Sequence, residues 1–271
     1  MTYQTKKIIS NILLFLETIF LFLIIVLSVL KITTTDKNII KKMEKTNYYE
    51  KLYNETMENM VYITRRTGFT SKILNDTFSI EDIKRDTNKY VESIFNDKAI
   101  EINVESLKEN IETNLEKNIE DENLEIDSNI KKEYVNKITS TYKNEIRLMK
   151  EYNNISKDLK NKLSFIKTLL ILSIVDLIVL IIINKKIFNK KEYYIICFSN
   201  ALALMITDII VRIYLKRIFI YNDSITQVFN LVIKKGIHIN SLVWLILIAL
   251  GIITNKYIKE EKEEIYEEMY I

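Results

Sequence analysis

The sequence predicts an all-α integral membrane protein, with four transmembrane helices and an extracytoplasmic helical bundle domain inserted between helices 1 and 2. Four apolar runs are each long enough to cross a bilayer, which takes about 20 residues. The first run stands alone near the N-terminus, and the other three follow Leu163. The charged segment between them repeats its apolar residues at helical spacing, and the chain has no proline and only three glycines. Long helices are therefore expected throughout.

The apolar and charged stretches divide the chain into nine expected segments. These are a cytoplasmic N-terminus (1–7), transmembrane helix 1 (8–30), the extracytoplasmic helical domain (31–162), transmembrane helix 2 (163–184), a cytoplasmic turn (185–192), transmembrane helix 3 (193–215), an outer loop (216–236), transmembrane helix 4 (237–254) and a cytoplasmic acidic tail (255–271). The first run is longer than the apolar part of a secretory signal, and no small-residue cleavage site follows Leu30. It is expected to remain as an anchor.

The lysines beside the spans predict the orientation. Lys6 and Lys7 precede the first span, and four lysines fill the turn between the second and third. Basic residues in short loops mark the cytoplasmic side, so both ends of the chain are expected inside. The loop between spans three and four is also basic, at Lys216, Arg217 and two later lysines, yet alternation places it outside. Its apolar middle, residues 225–233, suggests a short interfacial helix.

The segment 31–162 shows four amphipathic patterns. One helix is expected to continue from the first span through Ile63 to a stop near Gly68, and another to begin at Ser79, which Asp82 helps to cap. A third pattern runs over Val104, Leu107, Ile111, Leu115 and Ile119. The last, from Ile130 to Leu163, predicts one helix that leads directly into the second span. Four such helices can bury their apolar faces in a bundle.

Four ionisable residues within the spans are the candidate site residues: Glu17, Asp176, Asp208 and Arg212. By helix rise, Glu17 and Asp176 both fall about 3 Å to the cytoplasmic side of the bilayer middle. Two carboxylates at one depth could share a proton or hold a cation. Asp208 and Arg212 are four residues apart and are expected to form an intrahelical ion pair. The alternative is that all four only hold the helices together.

The sequence offers no enzymatic site. One cysteine, Cys197, and one histidine, His238, allow neither an internal disulfide nor a Cys/His zinc site. A calcium-loop pattern beginning at Asp121 fails because Ile126 and Lys132 stand where glycine and glutamate are required. There is no phosphate-binding glycine loop, and a net charge of +3 is too small for nucleic-acid binding. No catalytic residue, metal or cofactor is expected.

The expected function is a non-enzymatic accessory, scaffold or sensor in a bacterial plasma membrane, whose partners are the lipid bilayer and a protein or a second copy of the chain. The bacterial origin is inferred from the abundance of Lys, Asn and Ile. The layout of one span, an outer domain and three spans resembles permease subunits of the FtsX and MacB type, which implies a cytoplasmic ATPase partner. The turn at 185–192 is short for coupling to an ATPase. A small ion- or proton-coupled transporter that works as an oligomer is the other alternative.

Overall fold

The computed structural model describes residues 3–96, 102–147, 155–188, 193–215 and 223–270, and each element in these ranges is helical. The elements are α1 (Tyr3–Thr33), α2 (Asp36–Lys45), α3 (Tyr48–Arg66), a 3-10 turn (Ser71–Leu74), α4 (Ile80–Asn96), α5 (Glu105–Asp121), α6 (Ser128–Ile146), α7 (Ile155–Ile183), a π-helical turn (Asn184–Phe188), α8 (Tyr193–Leu215) and α9 (Asp223–Tyr270). They form two units. The apolar unit comprises Met1–Thr34, Leu163–Tyr221 and Phe229–Ile271, and the helical bundle comprises Thr35–Lys162 and Asn222–Val228.

The apolar unit confirms the prediction of four helices that are long and apolar enough to cross a membrane. These stretches are Gln4–Thr33, Asn161–Lys186, Tyr193–Leu215 and Ile225–Glu260. α1 packs along α8, and Ala201, Leu204 and Leu247 are buried where α8 meets α9. At Gly251 a Cβ would lie only 3.0 Å from the Phe198 ring of α8, so the ring occupies the space that the glycine leaves free.

The fourth apolar helix is longer than the sequence predicted. α9 includes residues 223–236, which were expected as a loop, and residues 255–270, which were expected as a separate tail. Its C-terminal flank is rich in lysine and glutamate, which are good helix formers, and neither flank contains proline. The expected turn over 185–192 begins with the π-helical residues 185–188. Its second half, 189–192, and the first part of the expected outer loop, 216–222, lie outside the described residues.

The first helix is broken, which corrects the prediction of one helix from the membrane to Gly68. α1 ends at Thr33, and the Thr35 Oγ1 accepts a hydrogen bond from the Asn38 backbone N–H at 3.3 Å, which caps α2. A threonine side chain that caps a new helix competes with continuation of the old one. A second break follows at Asn47, whose φ is 50°. The expected stop is observed, since Gly68 has a φ of 80° just beyond α3.

The helix expected over Ile130–Leu163 is divided as well. α6 ends at Ile146, its last buried apolar residue, and Arg147 leaves helical geometry with a ψ of 17°. α7 begins at Ile155, and residues 148–154 lie outside the described ranges. Ile146 is also the last residue of α6 in the core of the bundle.

α4 begins with the predicted cap. The Ser79 Oγ accepts from the Asp82 N–H at 3.2 Å, and the Asp82 Oδ2 accepts from the Ser79 N–H at 2.9 Å. Burial raises the pKa of the Asp82 carboxyl, but the hydrogen bonds from Ser79 and the adjacent Arg85 guanidinium outweigh burial and lower it overall. The reciprocal bonds satisfy donors that a helix N-terminus otherwise leaves unpaired.

The core of the bundle is contributed by every one of its described helices. Its fully or almost fully buried side chains include Met60, Ile73, Leu74, Ile83, Ile111, Leu115, Tyr134, Ile138, Tyr142 and Ile146. Val228 also belongs to this core, and the Lys51 Nζ donates to the Gln227 Oε1 at 3.3 Å. The first residues of the stretch 225–233, which was expected as an interfacial helix, therefore belong to the bundle, because their apolar side chains pack against its core.

Two buried tyrosines connect α6 to other helices of the bundle. The Tyr142 hydroxyl donates to the Asp86 Oδ2 at 2.9 Å, and the Arg85 Nε donates to the Asp86 Oδ1 at 2.9 Å. Burial raises the pKa of the Tyr142 hydroxyl, and the charge of Asp86 raises it further. The Tyr134 hydroxyl shares a 2.8 Å hydrogen bond with the Thr64 hydroxyl. One of these bonds involves a charged acceptor and the other joins neutral groups.

Removing the Tyr142 hydroxyl should destabilise the bundle more than removing that of Tyr134. Tyr142→Phe leaves the Asp86 carboxylate buried without one donor, which is expected to cost about 1–3 kcal/mol, whereas Tyr134→Phe should cost about 0.5–1.5 kcal/mol. The free energy of unfolding is measured on the full chain in detergent micelles, by urea titration with hydrogen-exchange mass spectrometry of α4 and α6. Equal losses in the two variants would contradict this ranking.

Candidate functional site: buried polar residues of the apolar unit

The structure divides the four candidate residues into two buried and two exposed side chains. Glu17 on α1 has no exposed surface, and Asp208 on α8 is 6% exposed. Asp176 on α7 and Arg212 on α8 are exposed on the surface of the chain. A buried carboxylate among apolar helices requires hydrogen-bond donors, so the partners of Glu17 and Asp208 define the candidate sites.

Glu17 is held by an asparagine at the end of α7. The Asn184 Nδ2 donates to the Glu17 Oε1 at 3.1 Å, and the Ser10 Oγ donates to the Asn184 Oδ1 at 3.5 Å. Asn184 is the first residue of the π-helical turn, where the wider winding changes the direction of side chains relative to α7. The Glu17 Oε2 is buried and has no hydrogen-bond partner among the described residues.

Glu17 and Asp176 do not meet, which corrects the expectation that two carboxylates share one depth. Glu17 is level with Asn184, which follows Asp176 by eight residues on the same helix. Eight residues of helix separate two levels by about 12 Å. The expectation assumed that each apolar run is centred in the membrane, whereas packing of α1 against the π-helical turn sets the register.

Asp208 is paired across helices instead of along its own. The Asn240 Nδ2 donates to the Asp208 Oδ1 at 2.9 Å, and the Ser241 Oγ donates to the Asp208 Oδ2 at 3.1 Å. Within the described ranges no ion pair joins Asp208 to Arg212, in contrast to the expected intrahelical pair. Asp208 faces α9, where two neutral donors approach both of its oxygens, and Arg212 remains exposed.

The neutral partners were the residues that the sequence analysis missed. Asn184 was only the last residue of the second expected span, and Asn240 and Ser241 lay within the fourth without an assigned role. The available signal was an isolated asparagine or serine inside an apolar run, which is expensive to bury without a partner. Two further buried polar residues, Ser173 and Asn200, fit the same pattern, and the Ser173 Oγ and Asn200 Oδ1 have no partner among the described residues.

Both clusters hydrogen-bond one helix to another. Glu17 with Asn184 joins α1 to the end of α7, and Asp208 with Asn240 and Ser241 joins α8 to α9. Within the described residues no three His, Cys, Asp or Glu side chains converge on a position that could hold a metal ion. The Glu17 Oε2 is the oxygen of these two carboxylates that remains without a donor.

Glu17 and Asn184 should be energetically coupled. Asn184→Leu leaves a buried carboxyl without its donor and is expected to cost about 1–3 kcal/mol, and Glu17→Leu in the same chain should recover part of that loss. Thermal unfolding in detergent of both single variants and the double variant gives the coupling free energy, expected at about 0.5–3 kcal/mol. Additive losses would show that the two side chains do not interact.

Asp208 and Arg212 should contribute very differently to stability. Asp208→Leu leaves the Asn240 amide without its acceptor, with an expected loss of about 1–3 kcal/mol, whereas the Ser241 Oγ can still donate to the Ile237 carbonyl at 2.9 Å. Asp208→Asn keeps an acceptor and should lose less. Arg212→Leu should leave thermal unfolding in detergent unchanged, since no ion pair is broken. Similar losses for Asp208→Leu and Arg212→Leu would instead support an intrahelical pair.

Comparison with known proteins found no relative of the chain. No protein-family model, curated protein or solved structure significantly matches the chain.

Proposed function

We propose that this chain is a multi-pass plasma-membrane protein whose helical bundle lies outside the cytoplasm and which acts without catalysis, as an accessory, scaffold or sensor for protein partners. The observation that carries the membrane assignment is the exposed apolar surface of the four long helices. In the most apolar stretch of α7, only 6% of the residues are buried within the chain. Exposed side chains on the other three include Phe15, Leu202 and Ile253, each at least 59% exposed.

Such a surface is stable in lipid and unfavourable in water. Soluble monomers rarely expose apolar patches larger than a few hundred Å². Helices satisfy their own backbone hydrogen bonds and can therefore present apolar side chains to hydrocarbon. Each of the four stretches also reaches the length of about 20 residues that a bilayer requires.

The orientation follows from the basic residues near the ends of these helices. Lys6 and Lys7 lie at the start of α1, and Lys185 and Lys186 lie in the π-helical turn after α7. Helices α1 and α7 would cross in opposite directions, so both groups fall on one side, which the positive-inside rule makes cytoplasmic. Both chain ends then lie inside, and the bundle between α1 and α7 lies outside.

A role without catalysis is supported by how the bundle uses its buried polar residues. Asp86 is bonded to Tyr142 and Arg85, and Thr64 is bonded to Tyr134, so these buried groups hold helices together. The permease-like and transporter alternatives remain open to the same tests. Neither has a structural observation of its own in its favour.

The topology is tested with single-cysteine variants in a Cys197→Ala background. Lys137→Cys lies on the exposed face of α6, and Lys186→Cys lies in the π-helical turn. A membrane-impermeant maleimide should label residue 137 in intact cells, but residue 186 only after permeabilisation. The chain should also resist extraction by alkaline carbonate. The reverse labelling pattern would contradict the orientation, and carbonate release would contradict the membrane assignment.

Partners are tested by crosslinking the tagged chain in native membranes, followed by affinity purification and mass spectrometry. The proposal expects recovery of a specific protein other than an ATPase, or of a second copy of the chain. Recovery of a cytoplasmic ATPase would favour the permease-like alternative. For the transporter alternative, Glu17→Gln should abolish ion flux in reconstituted vesicles, and vesicles of the unsubstituted chain without flux would remove it.

A further inference from the structure

We propose that one flank of α7 is a dimerisation seam, on which a second copy of this chain packs through the same flank and the two Asp176 side chains hydrogen-bond to each other. The inference rests on the proposed function, because it requires α7 to cross a membrane. It concerns a surface, since Asp176 takes no part in the two buried clusters.

The seam is a regular strip along α7. It consists of Phe165, Leu169, Leu172, Asp176, Val179 and Ile183. These residues alternate steps of four and three, as in the seven-residue repeat of helices that pack side by side at a small crossing angle. Such packing is common between transmembrane helices.

The strip is distinct from the stripe by which α7 packs on its own chain. That inner stripe contains Leu170, Ser173 and Asn184, which are all buried. On the seam, Phe165 is 65% exposed and Leu172 is 54% exposed. Leu169 and Ile183 are half-buried and adjoin the inner stripe. A second helix can therefore reach the seam without displacing the buried residues of the inner stripe.

Asp176 is the seam residue whose carboxyl the hydrocarbon of lipid cannot hydrogen-bond. The other five seam residues are apolar and are equally stable against acyl chains or another helix. Asp176 lies within about 4 Å of the middle of the Asn161–Lys186 stretch, counting helix rise. It is exposed and has no hydrogen-bond or ion-pair partner among the residues the structure describes. Ionisable side chains at this depth face protein or water and are paired.

A second copy supplies the missing partner by symmetry. A two-fold axis along the membrane normal brings identical residues together at identical depth, so Asp176 of one copy faces Asp176 of the other. A protonated carboxyl has an O–H donor as well as acceptor oxygens, so each of two carboxyls can satisfy the other. A lone polar residue within an apolar seam also fixes the register of a helix pair.

Arg212, the exposed basic residue of α8, does not reach the level of Asp176. Glu17 bonds to Asn184 and interacts electrostatically with Tyr193, and from that level Asp176 is eight residues and Arg212 nineteen residues along the helices, a difference of about 16 Å. Two copies inserted in the same orientation keep this difference. Pairing of Asp176 with itself is therefore the arrangement that a second copy favours.

The test is disulfide crosslinking of the full chain in its native membrane. In a Cys197→Ala background, Leu172→Cys and Val179→Cys place thiols on the seam. Ile174→Cys and Ile181→Cys place matched thiols at similar depth on the opposite side of α7, and both residues are exposed. With mild oxidant, the seam positions should give a disulfide-linked dimer in at least fivefold higher yield than the opposite positions.

A second comparison tests whether the hydrogen bond of the Asp176 side chain holds the two copies together. Asp176→Leu in the Leu172→Cys chain should lower the dimer yield at least threefold, whereas Asp176→Asn, which keeps a donor and an acceptor, should lower it less than twofold. Both variants are first checked for carbonate-resistant membrane insertion. Equal effects of Leu and Asn would overturn the proposed hydrogen bond.

The remaining outcomes separate this inference from the proposed function. Equal yields on both sides of α7, or no dimer from a carbonate-resistant chain, would overturn the seam and leave the membrane assignment intact. A crosslink from residue 172 to a different protein would overturn the choice of a second copy. Carbonate release of the unsubstituted chain would overturn the membrane assignment and the seam with it.

Discussion

The helical bundle depends on the buried carboxylate of Asp86. A charge in a protein core is tolerated only when donors surround it, and here the Tyr142 hydroxyl and the Arg85 guanidinium do so. Tyr142 also fills core volume with its ring, against Phe78 at a centroid distance of 5.2 Å. One tyrosine thus links α6 to α4 by a hydrogen bond and to the segment before α4 by ring packing.

The apolar unit obeys the same constraint with weaker donors. Its buried carboxylates accept from amide and hydroxyl groups, at Glu17 from Asn184 and at Asp208 from Asn240 and Ser241. The amide and hydroxyl donors of these two clusters carry no positive charge. The two clusters therefore differ from the Asp86 site in kind, because an arginine balances the carboxylate in the bundle.

Much of this architecture could be predicted from the sequence, since it depends on local properties. Apolar length identified the four long helices, and the spacing of Val104 to Ile119 identified α5. The Ser79–Asp82 cap is a short-range pattern and was found correctly. The break at Thr35 was not, because a run of threonines does not by itself forbid helix.

Partners distant in sequence could not be predicted. Nothing local indicates that Asn184 meets Glu17, or that Val228 enters the core of the bundle. Both depend on how helices slide against one another, and a shift of one helical turn changes every pairing. The estimate that aligned Glu17 with Asp176 failed for that reason, since composition does not determine axial register.

The π-helical turn after α7 has a consequence for changes in chain length. A π-turn accommodates one residue more than the α-helix it interrupts. Loss of Asn184 would restore ordinary winding and bring Lys185 to the position that now faces Glu17. Loss of one residue among Lys185–Phe188 would instead leave Asn184 in place. A single deletion at this turn can therefore exchange an amide donor for a lysine ammonium beside the buried carboxyl, while the apolar run of α7 is unaltered.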